Sequence, residues 1–548
     1  MNSIIRELLK QRGITEKDDI EEFLADTPKK TYDPFLLPDM EAGVDLILNA
    51  ISHDKLICIY GDYDADGITS TCIMKTILER AGGRTDYFIP SRFTDGYGLN
   101  SAAVDRLRNR GAEVLITVDC GSVSREEVEH AKNAGLDVVV TDHHNIDDVQ
   151  ADCLLINPKR KDCKYPFRDL AGCGVAYKFA QAVQRKAGMP KSAIADILDL
   201  AAIGTVGDIV PLIDENRTLV KYGLKEIKKN RRPGLDALIK GISLTPENVA
   251  SEQIAFGIVP NLNACGRMED AGIGARLLLA GDPDEAAPLV EKVTSLNRNR
   301  KKIQDDTYEE CLKLADEQCP GSDFPVIYAG NAHEGITGIV AGKLKEKFGR
   351  PVIIVTDSGD DLKGTGRSIE GVDIYEVMNR RNDLFKRFGG HRGACGFTMP
   401  ASNLDDLRRG LDHEMNAIRE NDPSVFESGV SYDLELLPEE IDIALAEELM
   451  KLEPFGNANE LPVFMIKGAG VSDVFFMGQK NQHMRFTAVF PGGVSFKCVL
   501  FGNAGEYRKL ILSGSYVTLY GSIGINEWNG YRNVQMNLIS IEDDRENR

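Results

Sequence analysis

Between residues 55 and 156 the chain alternates short apolar runs with amphipathic stretches. The runs are LICIYG, TDYFIP, EVLITVD, DVVVTD and CLLINP, each bounded by Gly, Asp or Pro. Between them SAAVDRLRNRG and SREEVEHAKNAG carry helical spacing of apolar positions and end on Gly. Strands alternating with helices in this way predict βαβ units and a mostly parallel sheet, whose functional residues gather at the carboxyl ends of strands. From about residue 175 to 319 the pattern is helical, and it closes with a long stretch over 284–319 with few breakers, able to link two lobes. A second α/β unit begins near Phe324: PVIYAG as strand, GIVAGKLKEKFG as helix, PVIIVTD as strand. After 422–423 the texture changes to short strands and turns (PVFMIKGAGVSDVFFMG, HMRFTAVF, VSFKCVLF, SYVTLYGSIGINEW, YRNVQMNLISI), which predict an antiparallel β-barrel of the OB type. The partition is therefore 1–50 as an N-terminal helical segment, 51–280 as the first α/β domain, 281–320 as a connecting helix, 321–420 as the second α/β domain, 421–543 as the barrel and 544–548 as a disordered tail.

A length of 548 residues exceeds what one core organises, in keeping with several domains. The N-terminal MNSIIRELLKQRGITEKDD lacks the apolar core and cleavage site of a secretory signal and reads as an amphipathic helix of the mature protein. No apolar run approaches the length that crosses a bilayer, so the chain is placed in the cytoplasm, away from membranes. Eleven cysteines occur without a CxxC pair. Cys153, Cys163 and Cys173 recur every ten residues, but zinc sites use tighter pairs, and reduced structural thiols are expected. The net charge of -20 argues against a surface coated globally by nucleic acid. Local basic clusters at 159–164, 228–232 and 298–302 leave room for a groove, or simply form solvated surface.

Four acid and histidine clusters follow strand or helix ends. Asp62, Asp64 and Asp66 alternate in GDYDADG after the strand LICIY and can aim carboxylates at one point, as hard divalent cations require. An EF-hand loop is excluded by the missing terminal Glu, and three carboxylates exceed what helix capping needs. Asp119 follows EVLIT, Asp142-His143-His144 follows DVVVT, and Asp208 lies in GTVGDIVPL. Adjacent histidines point to opposite sides, so one can ligate a metal while its neighbour serves another role. Each cluster alone has a structural reading; together they predict a two-metal hydrolytic centre, with mixed oxygen and nitrogen ligands suited to Mn²⁺ or Mg²⁺.

GDYDADGITS, VDCG, TDHHN and GTVGDIVPL, in this order, resemble the motifs of the DHH phosphoesterase superfamily, and Gly389-Gly390-His391 resembles the GGH motif of its DHHA1 domain. Further motifs narrow the resemblance to the RecJ family of single-strand-specific 5′→3′ DNA exonucleases: Pro90-Ser91-Arg92 with Gly96-Tyr97-Gly98-Leu99, PNLNACGR ending at Arg267, HEGITGIVA opening at His333, KGTGRS with Arg367 and Ser368, EPFG over 453–456 and NEWNG containing Trp528. Cysteines at 265 and 395 stand where the family usually has Ala. The sequence also runs only a few residues past the expected barrel, so the extra C-terminal domain of some members is not expected here.

The resemblance implies a parallel-sheet DHH domain, a long helix, an α/β DHHA1 domain and an OB barrel. It makes Asp64, Asp66, Asp119, His143 and Asp208 ligands of two divalent cations, Asp119 bridging and Asp62 adding a further ligand or acceptor, with His144 on the scissile phosphate. Arg267 is expected to grip a phosphate near the cut. Arg92, Arg367 and Ser368 are expected at the 5′ phosphate. A turn at Gly389, Gly390 and His391 is expected to offer backbone N–H groups, and His333 is assigned to substrate binding. Phe486 and Trp528 are candidates for stacking on bases, with Phe496, Tyr520 and Tyr531 also available, although alternate strand residues build the barrel core. Implied partners are single-stranded DNA, a single-strand-binding protein and a RecQ-type helicase, with the enzyme a monomer in DNA repair and recombination. The rival readings are a DHH phosphodiesterase for short oligonucleotides or cyclic dinucleotides, which would need neither long helix nor barrel, and a non-catalytic scaffold, which would have lost ligands that are all present here.

Overall fold

The computed structural model describes residues 2–96, 98–146, 149–229, 231–426, 429–528 and 530–544, with the side chain of 528 outside the description. The chain divides into two compact units. One comprises Met1–Pro260, Ala275–Ala287 and Val430–Arg548, and the other Asn261–Gly274 and Pro288–Gly429.

In the first unit five parallel strands form the sheet: β1 (Leu56–Tyr60), β2 (Arg84–Phe88), β3 (Val114–Val118), β4 (Asp137–Thr141) and β5 (Leu154–Ile156). Their order is β2-β1-β3-β4-β5, with every pair parallel. β3 is buried throughout and β1 and β4 almost so, as β-branched runs covered on both faces require. The chain leaves β1 toward one edge and returns to β3 on the other side, so a crevice opens beyond the carboxyl ends of β1 and β3, the usual ligand position in such sheets. Three helices, Gly172–Lys186, Leu198–Gly207 and Asp214–Lys228, follow β5.

The second unit carries β6 (Val326–Tyr328), β7 (Val352–Ser358), β8 (Asp361–Arg367), β9 (Arg387–His391) and β10 (Ala394–Pro400) in the order β6-β7-β8-β10-β9. Only β6–β7 is parallel. The expected turn at Gly389-Gly390-His391 is instead the end of β9, an edge strand: its glycines pair with Cys395 and Gly396 of β10. The expected connecting helix spans Pro283–Gln318, and the boundary between units falls at Ala287/Pro288, so all but its first turn belongs to the second unit.

The C-terminal strands are β11 (Leu434–Glu435), β12 (Phe464–Met477), β13 (His483–Val489), β14 (Ser495–Leu500), β15 (Val517–Trp528) and β16 (Tyr531–Asp543). β12, β13, β14, β16 and β15 pair in succession and β15 pairs back to β12, closing a ring in OB order. The ring is not wholly antiparallel as expected. β14 and β16 run parallel, because the helix Ala504–Leu512 and β15 intervene and return the chain in the same direction. The N-terminal segment is not a free-standing part. Ile4, Ile5, Leu8, Leu9 and Phe23 share one core with Phe464, Phe486, Val517 and Met536 of the ring. Residues 545–548, most of the expected tail, lie outside the described residues.

Candidate metal centre

β1 ends at Tyr60, and the next four residues turn into the helix Ala65–Arg80. Asp64 caps that helix, accepting from the backbone N–H of Asp66 at 2.9 Å and Gly67 at 3.0 Å. Asp66 is buried in the first turn and is held from the opposite side. Gly172 N–H donates to its Oδ2 at 2.7 Å and Cys173 N–H to its Oδ1 at 2.8 Å, so the positive end of the helix Gly172–Lys186 fixes this carboxylate. A Cβ on Gly172 would lie 2.5 Å from Asp119 Oδ1, and one on Gly204 2.6 Å from Asp66 Oδ1, so both helices approach as closely as they do because they present glycine.

Asp119 follows β3 in a left-handed conformation, φ 62°. His143 Nε2 is buried, makes no hydrogen bond, and lies 3.1 Å from Asp119 Oδ1, 3.5 Å from Asp208 Oδ2 and 3.9 Å from Asp66 Oδ2. Asp62 Oδ1 is likewise buried without a partner. Potential ligand atoms fall into three overlapping groups, each within 4.8 Å: Asp62, Asp64 and Asp119; Asp66, His143 and Asp208; Asp119, His143 and His144. The seven expected residues thus converge, and Asp119 and His143 each belong to two groups.

Burial, then neighbouring carboxylates, pushes the Asp62 and Asp208 carboxyls up to about 8 and Asp66 to about 6, and raises Asp119 well above the usual range. Burial, then His144, lowers His143 to about 3, so its imidazole is neutral and ready to ligate. A neutral imidazole with its buried Nε2 unbonded among mutually repelling carboxylates fits divalent cations, which supply the missing positive charge.

Asp142 plays a different part, one that the sequence reading left unassigned. It is buried, and its Oδ1 accepts from His143 N, from His144 N and, at 2.8 Å, from His144 Nδ1, while its Oδ2 accepts from Ser122 N. Burial opposes charge on His144, but the hydrogen bond and charge of Asp142 outweigh it and raise the imidazole to about 9. His144 therefore carries two protons at neutral pH, with Nδ1–H going to Asp142.

Arg92 lies over the Tyr63 ring at 4.0 Å, and its buried Nε has no hydrogen-bond partner. In the second unit, Arg267, His333 and Arg367 meet around the start of the helix Glu334–Phe348. Arg267 Nη1 donates to Gly335 O at 3.1 Å, His333 Nδ1 accepts from Gly335 N, and a Cβ on Gly338 would lie 2.9 Å from Arg367 Nη2. A helix N-terminus with two guanidinium groups beside its first turns suits a phosphate, and no spacing in the sequence announces that one helix end unites these residues. Ser368 is buried and donates to Val372 O at 2.7 Å, so its hydroxyl is committed within its own loop. Phe486 corrects the stacking expectation: at 1% exposure it is core, on the inward face of β13. Phe496 and Tyr520 are also buried, whereas Tyr531, Phe475 and Phe501 stand exposed. The Trp528 side chain lies outside the described residues.

A parallel sheet with carboxylates and imidazoles at its crevice, a mixed-sheet unit and an OB-type ring define a DHH-class phosphoesterase. Residues 56–205 match the DHH family N-terminal domain, 323–417 the DHHA1 domain and 432–540 the RecJ OB domain. The chain belongs to the RecJ family. It is 36% identical to the single-stranded-DNA-specific exonuclease RecJ of Bacillus subtilis over 97% of this chain and 67% of that protein. It is 34% identical to the Escherichia coli exonuclease of the same name over 84% of this chain and 82% of that one. The crystal structure of Thermus thermophilus RecJ with Mn²⁺ matches with a TM-score of 0.82 at 28% identity, covering 98% of this chain and 75% of that one. Its complex with Mg²⁺ matches with a TM-score of 0.76 at 27% identity, covering 98% and 74%. Among the described residues no helix is long and apolar enough to cross a membrane.

Proposed function

We propose that this protein hydrolyses single-stranded DNA from the 5′ end, releasing 5′-mononucleotides, with two Mn²⁺ or Mg²⁺ ions. The observation that carries the reading is His143 Nε2, buried and unbonded within 3.9 Å of three carboxylates. Asp64, Asp66, Asp119, His143 and Asp208 would hold the ions, with Asp62 as a further ligand or acceptor. Bound there, such ions activate water and stabilise the leaving oxygen. His144, kept doubly protonated by Asp142, donates from Nε2 to the phosphate being cut. Arg92 provides a guanidinium for a phosphate beside the centre. Arg267, His333 and Arg367 bind further phosphates of the strand, the open-side backbone N–H of the edge segment formed by Gly389, Gly390 and His391 adds a donor, and exposed ring aromatics such as Tyr531 stack on bases.

The protein acts as a cytoplasmic monomer in DNA repair and recombination, on strands supplied by a RecQ-type helicase and a single-strand-binding protein. The decisive experiment compares long 5′-phosphorylated single strands, duplexes and dinucleotides with Mn²⁺. The single strand is expected to be degraded from its 5′ end, and preference for the dinucleotide or the duplex would refute the reading. Asp119→Ala is expected to reduce cleavage by more than the roughly 100-fold typical of outer-shell partners, while single-strand binding in a filter assay persists.

A further inference from the structure

The segment 453–460, EPFGNANE, leads toward β12 and contributes no group to the metal centre, yet it grips the loop that carries Asp208. Asp208 ends the helix Leu198–Gly207, and Ile209 after it takes φ 59°. That left-handed position after a helix end is ordinarily glycine, and a β-branched residue there is strained. Ile209 is 71% exposed, so its own packing does not hold the conformation. The hold comes through the backbone. Asn457 Nδ2 donates to Ile209 O at 2.7 Å, and Leu212 N–H donates to Asn457 O at 2.8 Å. Leu212 is buried against Gly456, where a Cβ would come within 2.6 Å of its Cδ1.

The gripping segment is itself firmly mounted. Asn459, fully buried, donates from Nδ2 to the carbonyls of Leu452 and Pro454, each at 2.8 Å, and Ser251 Oγ donates to Phe455 O at 2.7 Å. Strained conformations persist only where the surroundings over-determine them, and they mark functional sites.

We infer that Asn457 is a positioning residue for the metal centre: it pins Ile209 in its left-handed conformation and so sets the Asp208 carboxylate opposite His143. Because the same segment continues toward β12, the pin ties the OB ring to the centre. The inference rests on the two-metal reading above, and its test does not require DNA.

Mn²⁺ affinity is measured by electron paramagnetic resonance of free Mn²⁺, with urea unfolding of the metal-free protein alongside. Asn457→Ala is expected to weaken Mn²⁺ binding by about tenfold, the scale on which outer-shell partners act. Asn457→Asp keeps the shape and the bond from Leu212 but turns a carboxylate oxygen on the Ile209 carbonyl, and is expected to weaken binding likewise. It also serves should the alanine variant not fold. Ile209→Gly adopts φ 59° without strain; added to Asn457→Ala it is expected to restore most of the lost affinity. Unchanged Mn²⁺ affinity in both Asn457 variants, even with a lower urea midpoint, would overturn the inference, as would a loss that Ile209→Gly does not reverse. A wild type that binds Mn²⁺ but cuts no single strand refutes the exonuclease reading and leaves this one intact, whereas a wild type that binds no Mn²⁺ removes both.

Discussion

Asp142 shows how much one buried carboxylate organises. Its acceptor bonds fix two adjacent histidines, and its charge holds His144 up to about 9 while burial holds His143 down at about 3. Asp142→Asn is expected to lower the His144 value and to slow cleavage by about tenfold to 100-fold, the range for outer-shell partners. A pH–rate profile checks it: the alkaline limb should move to lower pH, and an unmoved limb would deny His144 its charged-donor role. The ligand carboxylates give the opposite linkage. Asp62 and Asp208 stand at about 8, against roughly 3.9 for an unperturbed Asp. Between those values the folded metal-free protein binds protons that the unfolded chain does not, so this contribution to stability is full at low pH and is lost as pH rises through about 8. Mn²⁺ replaces those protons, so its stabilising effect should grow with pH. Urea midpoints with and without Mn²⁺ at pH 6 and pH 8.5 test this, and a Mn²⁺ effect that shrinks with pH would contradict it.

At the scale of elements, the centre is made by two helix ends meeting a sheet edge. The start of Gly172–Lys186 anchors Asp66, and the end of Leu198–Gly207 delivers Asp208. Gly172→Ala is expected to weaken Mn²⁺ binding by at least about tenfold, because the added methyl group meets Asp119 Oδ1 at 2.5 Å and either the carboxylate or the helix must move. Mn²⁺ titration with a circular-dichroism control separates displacement of the ligand from unfolding. Sequence patterning reached these elements unevenly. The apolar runs placed β1, β3 and β4 because strands buried on both faces need continuous β-branched residues. Nothing in GCG at 172–174 announced that its amides would bind a side chain more than a hundred residues earlier. The alternation along β13 placed Phe486 on one of two faces without saying which face looks inward; ring closure chose the core.

At the scale of the whole molecule, the N-terminal helix Ser3–Gln11 completes the core of a ring that begins more than four hundred residues later, and the chain between them carries the metal centre. Arg217, buried on the helix Asp214–Lys228, donates to the carbonyl of Phe23 on one side and to those of Leu452 and Glu453 on the other. Leu8→Ala is expected to destabilise by about 2–5 kcal/mol, the range for a buried leucine, while Mn²⁺ affinity of the folded protein stays at the wild-type value. Urea unfolding and Mn²⁺ titration measure the two separately, and a parallel fall in Mn²⁺ affinity would show that the shared core reaches the centre.

The sequence by itself determined the local and the chemical: which runs are strands and helices, which acids and histidines follow them, and hence a metal-dependent phosphoesterase of the DHH kind. Apolar periodicity and short motifs encode such features over a few residues, and a strand end is a position that a one-dimensional pattern can mark. Only the tertiary structure decided what depends on distant segments meeting. It set Asp66 against the amides of Gly172 and Cys173, oriented Phe486 inward, turned the expected GGH turn into an edge strand, and brought Asn457 to Ile209. Those contacts are fixed by packing and by hydrogen-bond geometry across hundreds of residues, which no local spacing records.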